Sequence, residues 1–204
     1  KPEQTTPSDF FVTPDSVVQD PLMTQTRLFP FAESEDCLVV KLPYAGNGMS
    51  MLVILPKEKA GLAALESQLN PEWLAAWRAH LSEQPVHVSL PKFKLTWGTV
   101  DLKGPLASLG MADAFSDTRA DFSGMDGQKH WLYLKLVLHK AFVEVNEEGT
   151  EAAAATAVVT KVRSARPKLP AEFCADHPFL FLIQEEQTGA ILFLGRVRDP
   201  SLTD

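Results

Sequence analysis

The sequence predicts an α+β fold that is mainly antiparallel β with a few helices. Apolar runs of strand length recur along the 204 residues, and short turn-forming segments join several of them. Helical spacing of apolar residues is confined to short stretches, whereas residues 131–145 are almost continuously apolar. A hydrophobic content of 45% is enough for one globular domain with a sizeable core.

The chain opens on a segment without a clear secondary-structure signal. Residues 1–20 carry prolines and several Thr, Ser and Asp residues, and they show no apolar periodicity. This composition is typical of loops and linkers. We therefore predict a connector over residues 1–20.

A β-hairpin is predicted next. Residues 38–42 and 49–55 are apolar runs, and residues 45–48, Ala-Gly-Asn-Gly, lie between them. An Asn-Gly pair tolerates positive φ and so suits a tight turn between antiparallel strands. The two runs are therefore expected to pair.

Two short helices follow the hairpin. Leucines recur at spacings of three and four over residues 62–69, and Asn70 and Pro71 then provide a cap and a first-turn proline for a second helix. Trp73 and Trp77 lie four residues apart and share a face of this helix. We interpret them as side chains that pack on a sheet rather than as a ligand-stacking pair.

The remaining elements are mostly strands. Residues 86–95 alternate between apolar and polar side chains, which indicates a half-buried strand, and a helix is predicted near residues 101–109. Residues 131–145 are apolar on both faces, which predicts a central strand covered on both sides. Residues 179–183 and 190–197 are expected to close the chain as another hairpin.

Several classes of function are disfavoured by composition and motif. The net charge of −7 argues against a nucleic-acid surface, since only residues 161–168 concentrate basic side chains. The five histidines lack the helical spacing of a zinc site, and no Gly-x-Ser-x-Gly elbow or glycine-rich phosphate loop is present. A Cys174–His177 nucleophile pair has only sequence proximity in its favour. We therefore expect no enzymatic activity, metal or cofactor.

Cysteine and hydropathy patterns add two expectations. Cys37 and Cys174 are the two cysteines of the chain, and free thiols are favoured over a disulfide, although pairing remains possible. No run of eighteen apolar residues exists, so no membrane span is predicted.

The most informative segment begins where the apolar run ends. Residues 145–159 pass from a strand into Glu, Gly, Thr and a tract of alanines, followed by β-branched residues. Alanine favours helix and β-branched residues favour strand, so helix, loop and strand all remain open for this segment. Residues 161–170 are basic and punctuated by proline, which indicates an exposed, protease-accessible loop.

These residues resemble the serpins, whose reactive-centre loop begins with a hinge of the form Glu-x-Gly-Thr-Glu-Ala-Ala-x-Ala. The matching hinge residues here are Glu147, Gly149, Thr150, Glu151, Ala152, Ala153, Ala154 and Ala155. Further motifs similar to those of serpins occur in serpin order: Leu42-Pro43-Tyr44, Leu90-Pro91-Lys92-Phe93, Leu109-Gly110-Met111, Ala120-Asp121-Phe122-Ser123-Gly124 and His177-Pro178-Phe179-Leu180-Phe181.

The resemblance implies that residues 1–204 are the C-terminal portion of a single serpin domain. The N-terminal helices and first central strands of the family are absent from this sequence. The reactive-centre loop is expected at about residues 147–176. The missing N-terminal half of the domain is then an expected partner.

The resemblance also implies a function. Serpins are suicide substrates, because the cleaved loop inserts into the main sheet while the protease is still acyl-linked. Family spacing puts the scissile bond sixteen residues after Glu147, at Arg163–Ser164, and an arginine there suits serine proteases of trypsin-like, basic specificity. Lys161 and Arg166 are alternative basic sites. A secreted, extracellular location is expected from the family.

Insertion requires that alternate residues of the loop become buried. The members of one alternate set are small or β-branched and uncharged: Thr150, Ala152, Ala154, Thr156, Val158 and Thr160. This pattern favours an inhibitor over a non-inhibitory serpin that acts as a carrier, chaperone or interaction domain.

His139 lies inside the apolar run and has two interpretations. A lone histidine in a strand is usually a hydrogen-bonded core residue. The resemblance implies instead a position in the sheet-opening region, next to the gap where the loop inserts. In either case we expect a buried imidazole.

Overall fold

The computed structural model describes residues 2–46, 48–147 and 169–202. Their strands are β1 Thr5–Thr13, β2 Ser16–Glu33, β3 Cys37–Pro43, β4 Met49–Pro56, β5 Ser82–Pro91, β6 Phe93–Asp101, β7 Leu138–Val145, β8 Ala171–Cys174, β9 Phe179–Glu185 and β10 Ile191–Val197. Their α-helices are α1 Leu62–Gln68, α2 Pro71–His80, α3 Lys103–Leu106 and α4 Ser123–Asp126. Shorter helical turns cover Pro2–Gln4, Ala107–Met111 and Ala112–Phe115.

Eight of these strands form one sheet. Its order is β10-β9-β4-β3-β2-β5-β8, and β1 pairs with β2 outside this path. The pairings are antiparallel except for β5 with β8, which is parallel. Strands β6 and β7 form a separate two-stranded sheet. The predicted α+β fold, mainly antiparallel β with a few helices, is therefore confirmed.

The first predicted hairpin is formed by β3 and β4. The chain turns after β3 through Gly46, whose φ of 86° lies in the left-handed region that glycine adopts without steric cost. Apolar side chains of this hairpin, of β9 and of helices α1 and α2 form one core cluster: Cys37, Val39, Leu52, Ile54, Leu62, Leu65, Leu74, Leu180 and Leu182.

Helix α2 begins as its sequence predicts. The Asn70 side-chain oxygen accepts a hydrogen bond from the Trp73 backbone N–H at 2.8 Å, and Pro71 occupies the first turn. Trp73 and Trp77 pack against the core cluster with their ring centroids 5.6 Å apart. Their predicted role as packing residues is confirmed.

Aromatic residues form a second contact group, between the start of β6 and strand β9. Phe93 packs against Phe179 and Phe181, with ring centroids 6.0 Å and 5.4 Å away. All three side chains are buried. The residue that starts β6 is thereby attached to β9.

The chain divides into two compact units. One consists of Lys1–Lys94 with Glu144–Thr203 and contains the eight-stranded sheet, and the other is Leu95–Val143. The second unit is rich in exposed apolar side chains, including Trp97 at 55%, Trp131 at 69% and Leu138 at 60% exposure.

The predicted connector over residues 1–20 is wrong. Residues 5–13 and 16–33 are paired strands, and Phe10 is fully buried. Backbone pairing with β2 holds β1 in place, so this segment needs few apolar side chains of its own. Pro7 is tolerated because β1 has a partner on one side only within the described residues.

The predicted central strand over residues 131–145 is only partly right. Strand β7 covers Leu138–Val145 alone, and the preceding apolar residues are not in a strand. Among the described residues β7 pairs only with β6, and its side chains are exposed or half-buried. An apolar pattern indicates which faces of a segment favour burial. It does not specify which neighbouring strands bury them.

Two further elements differ from the prediction in their bounds. The predicted strand over residues 86–95 is split at Lys92, because β5 ends at Pro91 and β6 begins at Phe93. The predicted helix near residues 101–109 is a shorter α3 followed by a wider turn over Ala107–Met111, in which Gly110 has a φ of 107°.

Candidate functional site: the hinge and its anchor

Two of the residues expected to have a functional role lie in the described part of the chain, Glu147 and His139. The rest of the hinge and the scissile bond lie outside the described residues: Gly149, Thr150, Glu151, Ala152, Ala153, Ala154, Ala155, Arg163 and Ser164. The site can therefore be built from its two flanks, residues 138–147 and 169–177.

Glu147 is anchored two residues after the end of β7. Its Oε1 atom lies 2.5 Å from Nζ of Lys92 and accepts a hydrogen bond from the Thr5 hydroxyl at 2.9 Å. The Glu147 side chain is only 13% exposed, whereas that of Lys92 is 39% exposed. Hydrogen bonds to charged groups are stronger than hydrogen bonds between neutral groups, so these two contacts hold Glu147 in place.

The electrostatics of Glu147 agree with this geometry. Hydrogen bonds from Lys92, which has the largest effect, from the Glu147 backbone N–H and from the Thr5 hydroxyl together lower the pKa of Glu147 to about 2, against the opposing effect of burial. The carboxylate is therefore ionised throughout the neutral and mildly acidic range.

Lys92 owes its position to the break between two strands. It lies between Pro91, which ends β5, and Phe93, which starts β6 and is buried among aromatic rings. Its backbone N–H donates to the Pro21 carbonyl at 3.3 Å. The Leu-Pro-Lys-Phe motif marked this segment in the sequence, but the pairing of Lys92 with Glu147, 55 residues later, required the tertiary structure.

Lys92 also lines a cleft of about 410 Å³ with Asp20, Lys94, Glu144 and Ser201. Asp20 is only 5% exposed. Burial, followed by the Asp199 carboxylate, raises the pKa of Asp20 to about 6, although the charge of Lys92 opposes the increase. Sequence reasoning missed Asp20, since it lies within the segment interpreted as a connector.

The chain beyond residue 168 is anchored as well. Strand β8, within the predicted loop of residues 147–176, pairs with β5, and the Ala175 N–H donates to the Ser89 carbonyl at 2.9 Å. The Phe11 N–H donates to the Asp176 carbonyl at 2.7 Å. Both flanks of residues 148–168 are thus attached to the eight-stranded sheet or its edge.

His177 completes this second anchor. Its Nδ1 atom lies 2.6 Å from the Asp176 carboxylate and its Nε2 atom 2.6 Å from the Pro56 carbonyl oxygen. Both ring nitrogens therefore lie within hydrogen-bond distance of protein oxygens rather than of a substrate or a thiol. Neither nitrogen is available as a base for Cys174, which argues against a Cys174–His177 nucleophile pair.

The expected burial of His139 is wrong. Its side chain is exposed, and its ring lies edge-on to that of Trp97, with centroids 5.7 Å apart. The strand β7 that carries it lacks a neighbour other than β6 among the described residues, so the imidazole is exposed to water.

The two cysteines are free thiols, Cys37 buried and Cys174 exposed. Within the described ranges, no group of three or more His, Cys, Asp or Glu side chains converges as metal ligands would. Among the helices in those ranges, none combines the length and the apolar character that a membrane crossing requires.

The chain belongs to the serpin family. Residues 1–200 match the family described as Serpin (serine protease inhibitor). The order of the motifs and the mainly antiparallel sheet agree with this assignment.

Named serpins are among the relatives of the chain. Serpin B8 of Bos taurus is 49% identical over 79% of this chain and 43% of that protein, and leukocyte elastase inhibitor A of Mus musculus is 41% identical over 97% of this chain and 53% of that protein. The crystal structure of uncleaved ovalbumin matches with a TM-score of 0.79 and 33% identity, over 98% of this chain and 50% of that one. The chain therefore spans about half the length of the proteins it matches.

The expectation of a secreted, extracellular protein is wrong. Serpin B8, Serpin B6 and leukocyte elastase inhibitor are clade B serpins, which are intracellular. A fold does not determine location, because targeting depends on signals outside the folded core.

Proposed function

We propose that the full-length protein containing this chain is a suicide-substrate inhibitor of trypsin-like serine proteases. The reactive-centre loop would span about residues 147–176, with the scissile bond at Arg163–Ser164. The observation that carries the proposal is the anchored Glu147, which fixes one flank of a segment whose hinge sequence is intact.

The open edge of β7 supports loop insertion. Among the described residues β7 pairs only with β6, so its other edge presents backbone N–H and carbonyl groups to a further strand. A strand that adds to such an edge satisfies these groups through new hydrogen bonds. The uncharged alternate set from Thr150 to Thr160 is suited to burial in that position.

The target class rests on the residue at the cut. Arg163 lies sixteen residues after Glu147, and a guanidinium pairs with two oxygens of a carboxylate in an acidic specificity pocket. We assign the target as a serine protease of basic specificity. An elastase-like target is a second candidate, since several relatives are named leukocyte elastase inhibitor.

The remainder of the domain is a proposed partner of this chain. Trp97, Leu138 and Phe142 lie in the β6–β7 sheet and are about half exposed. Burial of apolar surface contributes about 25 cal/mol per Å², so contact with further protein would stabilise this sheet. We propose that the N-terminal half of a serpin domain provides it.

The test is to mix the full-length protein with trypsin or with elastase and to separate the products by denaturing electrophoresis. We expect a covalent band with trypsin that resists denaturant, and mass spectrometry should place the cut after Arg163. An Arg163→Ala variant should lose the trypsin band. Clean cleavage without a covalent band would overturn the proposal in favour of a substrate-like or non-inhibitory serpin, and a band with elastase alone would replace the target class.

A further inference from the structure

Lys92 faces acidic groups from two directions. Glu147 contacts its ammonium at 2.5 Å, and Asp20 and Glu144 line the same cleft as Lys92. Asp20 lies on β2 directly before Pro21, whose carbonyl accepts the Lys92 backbone N–H at 3.3 Å. The pairing of β2 with β5 therefore places the buried residue Asp20 near the lysine that anchors Glu147.

The two carboxylates differ in when they carry charge. The pKa of Glu147 is lowered to about 2, whereas burial and the Asp199 carboxylate raise that of Asp20 to about 6. Glu147 is thus ionised across the physiological range, and Asp20 gains its charge only as the pH rises through about 6. Lys94 adds a second positive charge to this cleft.

We propose that Asp20 is a positioning residue for the hinge, which competes with Glu147 for the Lys92 ammonium and loosens the hinge anchor when it is ionised. This inference rests on the proposed function only in naming Glu147 as the hinge. Asp20 lines the same cleft as Lys92, whose ion pair is with Glu147, so a charge on Asp20 acts on the ammonium across the cleft and weakens its hold on Glu147.

The direction of the pH effect follows from the charges. Below about pH 6 Asp20 is neutral, and Lys92 is attracted mainly to Glu147. Above about pH 6, the ionised Asp20 carboxylate attracts the Lys92 ammonium and repels the Glu147 carboxylate. The anchor is therefore firm in mildly acidic solution and weaker at neutral pH.

Hydrogen exchange of the peptide that contains residues 138–147 tests this inference in the full-length protein. After correction for the intrinsic pH dependence of exchange, the rate should rise up to about fivefold from pH 5 to pH 7.5, the factor that corresponds to a partly exposed ion pair. Asp20→Asn should keep the slow rate at both pH values. Asp15→Asn, at an exposed position in the turn before β2, is the matched control and should behave like the wild type.

A second variant separates this role from a merely structural one. Asp199→Asn removes the negative charge that raises the pKa of Asp20, so the transition in exchange should move to lower pH without disappearing. Wild-type pH dependence in both Asp20→Asn and Asp199→Asn would overturn the inference. The exchange readout needs no protease, so a protein that forms no covalent complex would refute the proposed function and still test the role of Asp20.

Discussion

The Lys92 ammonium lies 2.5 Å from the Glu147 carboxylate. Lys92, at the junction of β5 and β6, therefore anchors Glu147. Thr5, at the start of β1, donates to the same carboxylate. Segments from three distant parts of the chain thus meet at one hinge residue.

Charge reversal at this pair should loosen the hinge. Glu147→Lys places two ammonium groups together, and we expect faster hydrogen exchange of residues 138–147 and a lower melting temperature in the full-length protein. Adding Lys92→Glu should restore most of both losses, because the opposite charges then face each other again. The control is Glu33→Lys at the more exposed Lys57–Glu33 pair, where exposed ion pairs contribute little. Equal effects at both sites would contradict the assigned anchor.

Hinge substitutions should separate inhibition from cleavage. Thr150→Arg puts a charge into the alternate set that must be buried during insertion, so trypsin should cut the variant without forming a stable complex. Glu151→Arg changes the neighbouring residue, which belongs to the opposite set, and should retain the complex. The measurement is the ratio of covalent complex to cleaved protein on denaturing gels. Loss of complex in both variants would show that the alternation does not decide the outcome.

Acid should remove the stability that two carboxylates provide. Burial raises the pKa of Glu186, but hydrogen bonds from Ser50, Lys41 and Gln184 outweigh it and leave the pKa at about 2, as for Glu147. A depressed folded-state pKa means that the folded protein binds fewer protons, so this stability is complete above about pH 4.5 and is lost as the pH falls through about 2.

Urea unfolding at pH 7, 4 and 3 measures this dependence. Glu186→Gln and Glu147→Gln should each be less stable than the wild type at pH 7 and approach it at pH 3. Glu35→Gln, at an exposed position before β3, should follow the wild type at every pH. A constant difference between Glu186→Gln and the wild type from pH 7 to pH 3 would argue against this linkage.

A methyl group at Gly195 should disrupt the packing of β10 on β9. A Cβ atom there would lie 2.6 Å from the Phe181 ring, and Phe181 is only 2% exposed. Gly195→Ala should therefore lower the free energy of unfolding by about 1–3 kcal/mol. Phe181→Leu in the same protein should recover part of the loss. Gly98→Ala, where no atom lies within 4 Å of the added carbon, is the control for denaturant unfolding.

Local sequence patterns predicted the elements whose cause is local. The pairing of β3 with β4, the cap at Asn70 and the packing of Trp73 and Trp77 depend on neighbours in the chain, and they were predicted correctly. Strands at residues 5–33 were missed because pairing, rather than apolar periodicity, stabilises them. The burial of β7 and His139 was overestimated, since apolar character does not provide the strands that must cover it.

The sequence by itself determined the family and the mainly antiparallel class, because ordered motifs and strand-length apolar runs are properties of the chain itself. Only the tertiary structure decided which groups act on the hinge. Lys92, Thr5 and Asp20 are far from Glu147 in sequence, and the pairing of β2 with β5 brings Lys92 and Asp20 together. Coulombic and hydrogen-bond energies fall steeply with distance in space, and no spacing along the chain reports that distance.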